Sequence, residues 1–207
     1  PVRGDFFALT KEQAKERLGM DDGKPLVLSF WGSLGASEMN RQMADFIDLE
    51  IKRNRFHHVH GAGAYGYPLV QELLRQRGID LSRELMVEVR EYIYDMAVLM
   101  RAADLVICRA GAITLSELQA AGRASILIPS PNVAENHQYH NAMELVEHEA
   151  AELIEEKDLA GPALVEKVSR LVANPGRLAK LGQNAAKMAI LDANQRIVDE
   201  IVGLIKN

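Results

Sequence analysis

Leu26-Val27-Leu28-Ser29-Phe30-Trp31-Gly32-Ser33-Leu34-Gly35-Ala36 is the stretch on which the fold turns. Its first six residues form an apolar, β-rich run, short enough for a strand buried on both faces. Two glycines break the run, and from Glu38 to about Glu50 apolar residues return at helical spacing. Strand, glycine turn and helix make half of a βα unit, and the alternation repeats. Phe56–His60 reads as a second strand closed by Gly61-Ala62-Gly63, followed by a helix over Pro68–Arg77 that Gly78 stops. Leu85–Val89 is a third strand, before a helix over Asp95–Ala103 with Asp95 as its N-cap. Leu105–Cys108 leads to a helix over Thr114–Ala121, and Ser125–Ile128 to a helix over His137–His148. Ala151–Ile154 is a weak sixth strand; helices over Gly161–Ala173, Pro175–Ile190 and Ala193–Lys206 follow. Strands joined by single helices need crossovers. The expected fold is therefore α/β: a Rossmann-like parallel sheet with helices on both faces and a helical tail. The expected organisation is a single domain, with 1–15 as linker and first helix, 16–156 as α/β core and 157–207 as C-terminal helices.

The composition is globular: of 207 residues, 48% are hydrophobic and 26% charged. Lys+Arg is 24 against 29 Asp+Glu, a net charge of −5, which leaves no cationic field for a general nucleic-acid binder. A local anion site built from backbone amides remains open. The single cysteine, Cys108, allows no internal disulfide and fits a reducing compartment. No apolar run approaches the roughly 20 residues of a membrane helix, and no signal-peptide pattern is present. The chain opens on Pro1-Val2-Arg3 without a methionine, as a processed chain or a piece of a longer one does.

In a doubly wound sheet the chemistry sits in the loops that leave the strands' carboxyl ends. Gly32, Ser33 and Gly35 let backbone approach an anion closely, but the loop lacks a P-loop lysine and the third glycine of a dinucleotide fingerprint. It is equally a tight turn. In Arg109-Ala110-Gly111-Ala112-Ile113-Thr114-Leu115-Ser116-Glu117, Thr114 and Glu117 have capping-box spacing. Glu117 is either a cap partner or an acceptor for vicinal hydroxyls, as on a ribose. Between Pro129 and Asn141, Gln138 and Asn141 lie one turn apart. Amides there suit sugar hydroxyls, or serve the helix terminus. His58 and His60 fall on one strand face and His57 on the other, with no carboxylate or thiol at ligand spacing, so no metal site is expected. There is no Asp-x-Asp and no Gly-x-Ser-x-Gly. Cys108 reads as inert core, and Val98, Leu99 and Met100 with Met96 read as core before ligand stripe.

Together the runs Cys108–Glu117, Ala120-Ala121-Gly122 and Pro129 to His137-Gln138-Tyr139-His140-Asn141-Ala142 resemble the bacterial MurG family of N-acetylglucosamine transferases. Gly32-Ser33-x-Gly35-Ala36, His60-x-x-Gly63 and Tyr92-Ile93-x-Asp95-Met96 fit as well, and the likeness spans essentially the whole chain. The resemblance implies the C-terminal, donor-binding half of a two-domain glycosyltransferase B fold. It implies an inverting transfer of GlcNAc from UDP-GlcNAc to lipid I, giving lipid II for peptidoglycan, at the cytoplasmic face of the cell membrane. It also places the acceptor site, the membrane surface and the general base in an N-terminal domain absent from this chain, so no catalytic residue is named. Ile93, flanked by Tyr92 and Met96, would meet the uracil. Ser33, with Gly32 and Gly35, and the backbone of Gly111, Ala112, Ile113 and Thr114 would meet the diphosphate. Leu115 and Ser116 continue that segment, Glu117 would hold the ribose, and Gln138, with His137 and Asn141, would read the sugar. No cofactor is implied. Helix N-termini after Ala36, Gly111 and Asn136 are expected to face one cleft.

Three departures stand out. Trp31 replaces a usual glycine and either packs under the loop or narrows it; Ala110 replaces a frequent serine; His137 replaces a glutamine of some relatives. Competing readings are a glycolipid glycosyltransferase, a UDP-GlcNAc epimerase, and a non-catalytic nucleotide-sugar binding module. An NAD-binding domain fails on the missing Gly-x-Gly-x-x-Gly and on His60-Gly61 where an acidic residue belongs. The last helix carries an apolar stripe, Ile197, Val198, Ile201, Val202 and Leu204-Ile205, expected to be mostly core, with any exposed part favouring weak dimerisation.

Overall fold

The computed structural model describes residues 2–205. Six parallel strands form one sheet: β1 Leu26–Phe30, β2 His57–Gly61, β3 Val87–Arg90, β4 Leu105–Cys108, β5 Ala124–Leu127 and β6 Glu152–Leu153. Their order is β3-β2-β1-β4-β5-β6. The chain therefore winds outward from β1 on one side and from β4 on the other. The loops after these two neighbours diverge, which opens a crevice over the middle of the sheet.

Strand alternation sorts the core. Leu26 and Leu28 of β1 join Val106 and Cys108 of β4 on one face, while Val27 joins Leu105 and Ile107 on the other. The first face is covered by α1 (Lys11–Arg17), α4 (Met96–Ala102), α5 (Ala112–Ala121) and α6 (His137–Glu147), through Ala14, Leu99, Met100, Leu118 and Leu145. The second is covered by α2 (Ser37–Ile51), α3 (Gly66–Gln76) and α7 (Gly161–Val172), through Met39, Phe46, Val70, Leu74 and Val168. Each fully buried Leu, Phe or Met contributes roughly 1.5–3 kcal/mol. The strand ends are thus anchored far more firmly than glycine-rich loops could anchor themselves. α8 (Pro175–Lys187) and α9 (Ala193–Ile205) complete the chain.

The α/β architecture and the strand–helix order agree with the sequence reading, and several details differ. The third strand starts at Val87, and Leu85 is 94% exposed. Only alternate residues of this edge strand are buried, so apolarity alone overextended it. Asp95 occupies the N-cap position of α4 without a side-chain cap bond; Arg90 takes its carboxylate at 2.7 Å. Thr114 lies inside α5, whose N-cap is Gly111, so the Thr114–Glu117 capping box does not form. Ala112 and Ile113 already wind as helix, two residues earlier than expected. The apolar stripe of α9 is not core: none of its residues is buried. Lys206 at the end of that helix, and Pro1 of the expected linker, lie outside the described residues.

Candidate functional site

The loops leaving β1, β2 and β3 are laced into one wall. Ala64 N donates to Ser33 O at 3.0 Å, Ala62 N to Arg90 O at 2.9 Å, and Gly63 N to Glu91 O at 3.1 Å. The first two loops cross without room for a side chain. A Cβ on Gly35, at φ +80°, would sit 2.2 Å from Ala62 O, and one on Gly63, at φ +78°, would sit 2.2 Å from Gly35 N. Between this wall and the start of α5 lies a cavity of ≈ 530 Å³, a size ordinary for a small-ligand site.

Its surfaces differ in chemistry. Gly32 and Ser33 present exposed backbone and a hydroxyl. Tyr92 and Tyr94 form an aromatic rim, ring centroids 4.9 Å apart, beside Ile93 and Met96. Ile93 is itself buried, packed on Gly61, where a Cβ would meet its Cδ1 at 2.8 Å. Opposite stand Thr114 and Glu117 from α5. Burial holds the Glu117 carboxyl above the usual carboxylate range, while the Arg3 guanidinium pulls it down and Asp5 pushes it up. Arg3 and Glu117 both line the cavity, so one cation and one half-buried carboxylate share it.

The helices around the site share one feature. None of α2, α3, α4, α5 and α6, which each follow a strand, has a side-chain cap. By contrast α1 is closed by a Thr10–Gln13 capping box and α8 by Asn174. Uncapped first-turn amides at the carboxyl edge of the sheet leave partial positive charge turned to that side.

Of the residues singled out from sequence, Gly32, Ser33, Tyr92, Ile93, Met96, Thr114 and Glu117 line this cavity. Gly35 lies behind the wall at the loop crossing, and Gly111 and Ala112 begin α5 beside it. Ile113 is 76% exposed, Leu115 is buried in the core, and Ser116 Oγ donates to Ala112 O at 3.0 Å. His137, Gln138 and Asn141 do not line the cavity. Gln138 Oε1 accepts from Ser130 N at 2.9 Å, Asn141 Nδ2 donates to Ala110 O at 3.3 Å, and His137 Nδ1 lies 3.0 Å from Ala134 O. The three helix N-termini do not share one cleft. Asn136, at the start of α6, opens on a second cleft of ≈ 620 Å³ with Glu38, Glu155 and Glu156 on its walls and Lys157 as counter-charge. Its acidity opposes an anionic ligand. Arg109 is paired with Glu156, at 2.6 Å.

Sequence reasoning missed Arg3, Phe30, Glu91 and Tyr94 as wall residues, and read Gly61 and Gly63 only as a strand-closing turn and part of a family motif. Only the Gly61-Ala62-Gly63 turn carried a local signal. Trp31 packs under the loop: it is 5% exposed, its ring 5.8 Å from that of His60. His58 and His60 share a buried face, and His57 sits on the other, 3.0 Å from Asp22. Among the described residues no group of three or more His, Cys, Asp or Glu is placed to hold a metal ion.

The family model for the glycosyltransferase family 28 C-terminal domain matches residues 26–197. A UDP-N-acetylglucosamine–N-acetylmuramyl-(pentapeptide) pyrophosphoryl-undecaprenol N-acetylglucosamine transferase of Acetivibrio thermocellus is 37% identical over 207 residues, covering 100% of this chain and 55% of the relative. The protein of the same name from Thermoanaerobacter sp. (strain X514) is 40% identical over 197 residues, covering 95% and 53%. Among solved structures, Acinetobacter baumannii MurG superposes with a TM-score of 0.79 at 27% identity, over 98% of this chain and 55% of that one. The chain thus spans about half the length of the relatives it matches.

Proposed function

The chain belongs to the glycosyltransferase family 28 C-terminal domains, and from that premise we propose that its cavity binds UDP-N-acetylglucosamine as donor for transfer to a lipid-linked N-acetylmuramyl acceptor. The single observation that carries this reading is the position of Glu117. Released from any capping role, its half-buried carboxylate faces a glycine loop across one cavity. A carboxylate accepts from two hydroxyls of a ribose, and the free amides of a glycine loop donate to phosphate oxygens. The spacing of base, ribose and diphosphate then follows the cavity wall: the uracil at Tyr92 and Ile93, the ribose at Glu117, the diphosphate between Ser33 and the first turn of α5.

In the transfer, the acceptor oxygen forms a bond to C1 of the sugar as the bond from C1 to the β-phosphate oxygen breaks, with inversion. Charge grows on the departing diphosphate. The first-turn amides of α5, with Ser33, stabilise it there, and Arg3 adds a cation at the same cavity. Sugar recognition by Gln138, His137 and Asn141 requires Gln138 to exchange Ser130 N for a sugar hydroxyl. The base that takes the acceptor's proton, and the surface that meets the inner face of the membrane, belong by this reading to the half of the relatives that this chain does not span. No helix among the described residues is long and apolar enough to cross a membrane. Within the chain, the segment through α1 serves as linker and first helix, the α/β unit that follows, to about residue 156, as donor-binding core, and α7, α8 and α9 as supporting helices.

Calorimetric titration with UDP-GlcNAc, UDP-galactose and UDP tests the proposal. UDP-GlcNAc is expected to bind in preference to UDP-galactose. A preference for UDP-galactose would move the reading to a glycolipid transferase, and no affinity for any of the three would end it.

A further inference from the structure

Beneath the loops that wall the cavity, polar side chains form a line through a layer that is otherwise apolar. Ser29, Asn40 and His60 are 0% exposed and His58 is 1% exposed. Asn40 Nδ2 donates to Ala62 O at 2.9 Å, and Asn40 Oδ1 lies 2.9 Å from His60 Nε2. Ser29 Oγ is 2.8 Å from both His60 Nδ1 and His58 Nε2.

The direction of every proton in this line follows from its end. Ala62 O can only accept, so the Asn40 amide must turn its NH₂ there and its carbonyl to His60. His60 must then carry its proton on Nε2. Burial drives the His60 pKa down to about 3, so the ring is neutral and its Nδ1 is a bare acceptor. Ser29 donates to it, which leaves the serine oxygen to accept from His58 Nε2–H. His58, likewise neutral through burial, ends the line with a bare Nδ1. Within this line, that nitrogen is the one left without a hydrogen-bond partner. The proton order set at one end thus accounts for the orphan at the other.

The line ends where the cavity wall is tightest. Ala62 O is the atom a Cβ on Gly35 would strike, and Asn40 also fills the space against Gly66, where a Cβ would sit 1.9 Å from its Nδ2. We propose that Asn40, held by His60 on one side and bonded to Ala62 O on the other, is the positioning residue that sets the Gly32–Gly35 and Gly61–Gly63 loops against each other for ligand binding. Buried, paired polar groups are often replaceable by apolar residues of similar volume without loss of stability, so geometry is what such a network has to offer. The ligand half of the proposal rests on the UDP-sugar reading above.

The test compares Asn40→Leu with Ser29→Ala in the purified protein, at a temperature where circular dichroism shows each variant folded. Both cut the buried line, but only the first removes the bond to Ala62. In Asn40→Leu, amide exchange at Gly35, Ala62, Gly63 and Ala64 is expected to quicken about tenfold, and the Kd for UDP to rise about tenfold. In Ser29→Ala both are expected to stay within about threefold. Equal effects of the two variants, or exchange quickened evenly over the sheet, would overturn the positioning role. Histidine ring ¹⁵N spectra of the unaltered protein give a second measurement, needed should Asn40→Leu not fold. A proton on His60 Nε2 supports the proposed order, and a proton on its Nδ1 overturns it. If the unaltered protein does not bind UDP, the UDP-sugar reading fails, while loop exchange and ring spectra still decide the role of Asn40.

Discussion

The burial that suits Glu117 to the ribose proposed for it also costs the folded protein stability. Its folded pKa is raised, chiefly by burial, so the charged form is disfavoured in the native state. For an acid shifted this way, stability is greatest below the unfolded pKa and is lost as pH rises through the folded one. At neutral pH the carboxylate therefore destabilises the empty site, and a bound diol would offset that. Glu117→Gln removes the charge and keeps the shape. The expected outcome is a Tm higher by about 1–2 °C at pH 7, a small gain because water still screens the half-buried group. The gain should vanish at acid pH, where Glu117 is already protonated. The same variant should weaken UDP binding about tenfold or more, through the lost charge-assisted bonds. Differential scanning fluorimetry across pH and calorimetry read the two effects. A Tm lower than that of the unaltered protein would contradict the argument.

At the scale of elements, the β5–α6 connection is strained at two successive residues. Glu135 and Asn136 stand consecutively in the left-handed region, at φ +52° and +51°. Asn tolerates it, whereas for Glu it costs about 1 kcal/mol. Glu135→Gly is expected to stabilise the protein by up to about 1 kcal/mol in urea unfolding, the relief of strain exceeding the entropy that glycine adds to the unfolded chain. What the sequence made legible at this scale was whatever short-range pattern encodes. The run Leu26–Phe30 ending at Gly32 named the central strand, and Gly122, at φ +63°, ended α5 as expected. Edges and entry points were less legible. Leu85 is apolar yet exposed, because the edge strand begins two residues later. Thr114 and Glu117 mimic a capping box by spacing, although α5 starts at Ala112. Arg3 reaches the cavity from a segment distant in sequence, and the Ser29–His60–Asn40 line joins residues of three elements. Such contacts exist only once the sheet register has formed, so no local pattern announces them.

At the scale of the whole molecule, the sheet has a chemical polarity. Its carboxyl edge gathers uncapped helix N-termini, and its opposite edge gathers cations where helices end. Arg101 donates to Leu9 O and Ala121 O, and Arg123 to Ala121 O and Ala103 O. Ala103 is the C-cap of α4 and Ala121 the last residue of α5, so these guanidinium groups meet the negative ends of two helix dipoles. Burial, with Arg101 nearby, lowers the Arg123 pKa to about 10, still charged at neutral pH. Asp104 ties α1 to this edge: it pairs with Lys11, meets Lys15 Nζ at 2.7 Å and accepts from Leu26 N at 2.8 Å. Burial alone would raise its pKa, but the two ammonium groups and the Leu26 amide more than offset that, and the net shift is downward. For a carboxyl lowered in the folded state, the stabilisation is complete above the ordinary value of 3.8 and is lost as pH falls through the folded value. Asp104→Asn would leave two largely buried ammonium groups facing a neutral amide. The expected cost is about 2–3 kcal/mol at pH 7, below the loss for a fully buried pair because water reaches the site. The gap between the variant and the unaltered protein should be constant from about pH 7 to about pH 5 and close progressively below about pH 4. Urea unfolding at a series of pH values measures it. A gap that persists undiminished in acid would mean that Asp104 acts through packing rather than charge.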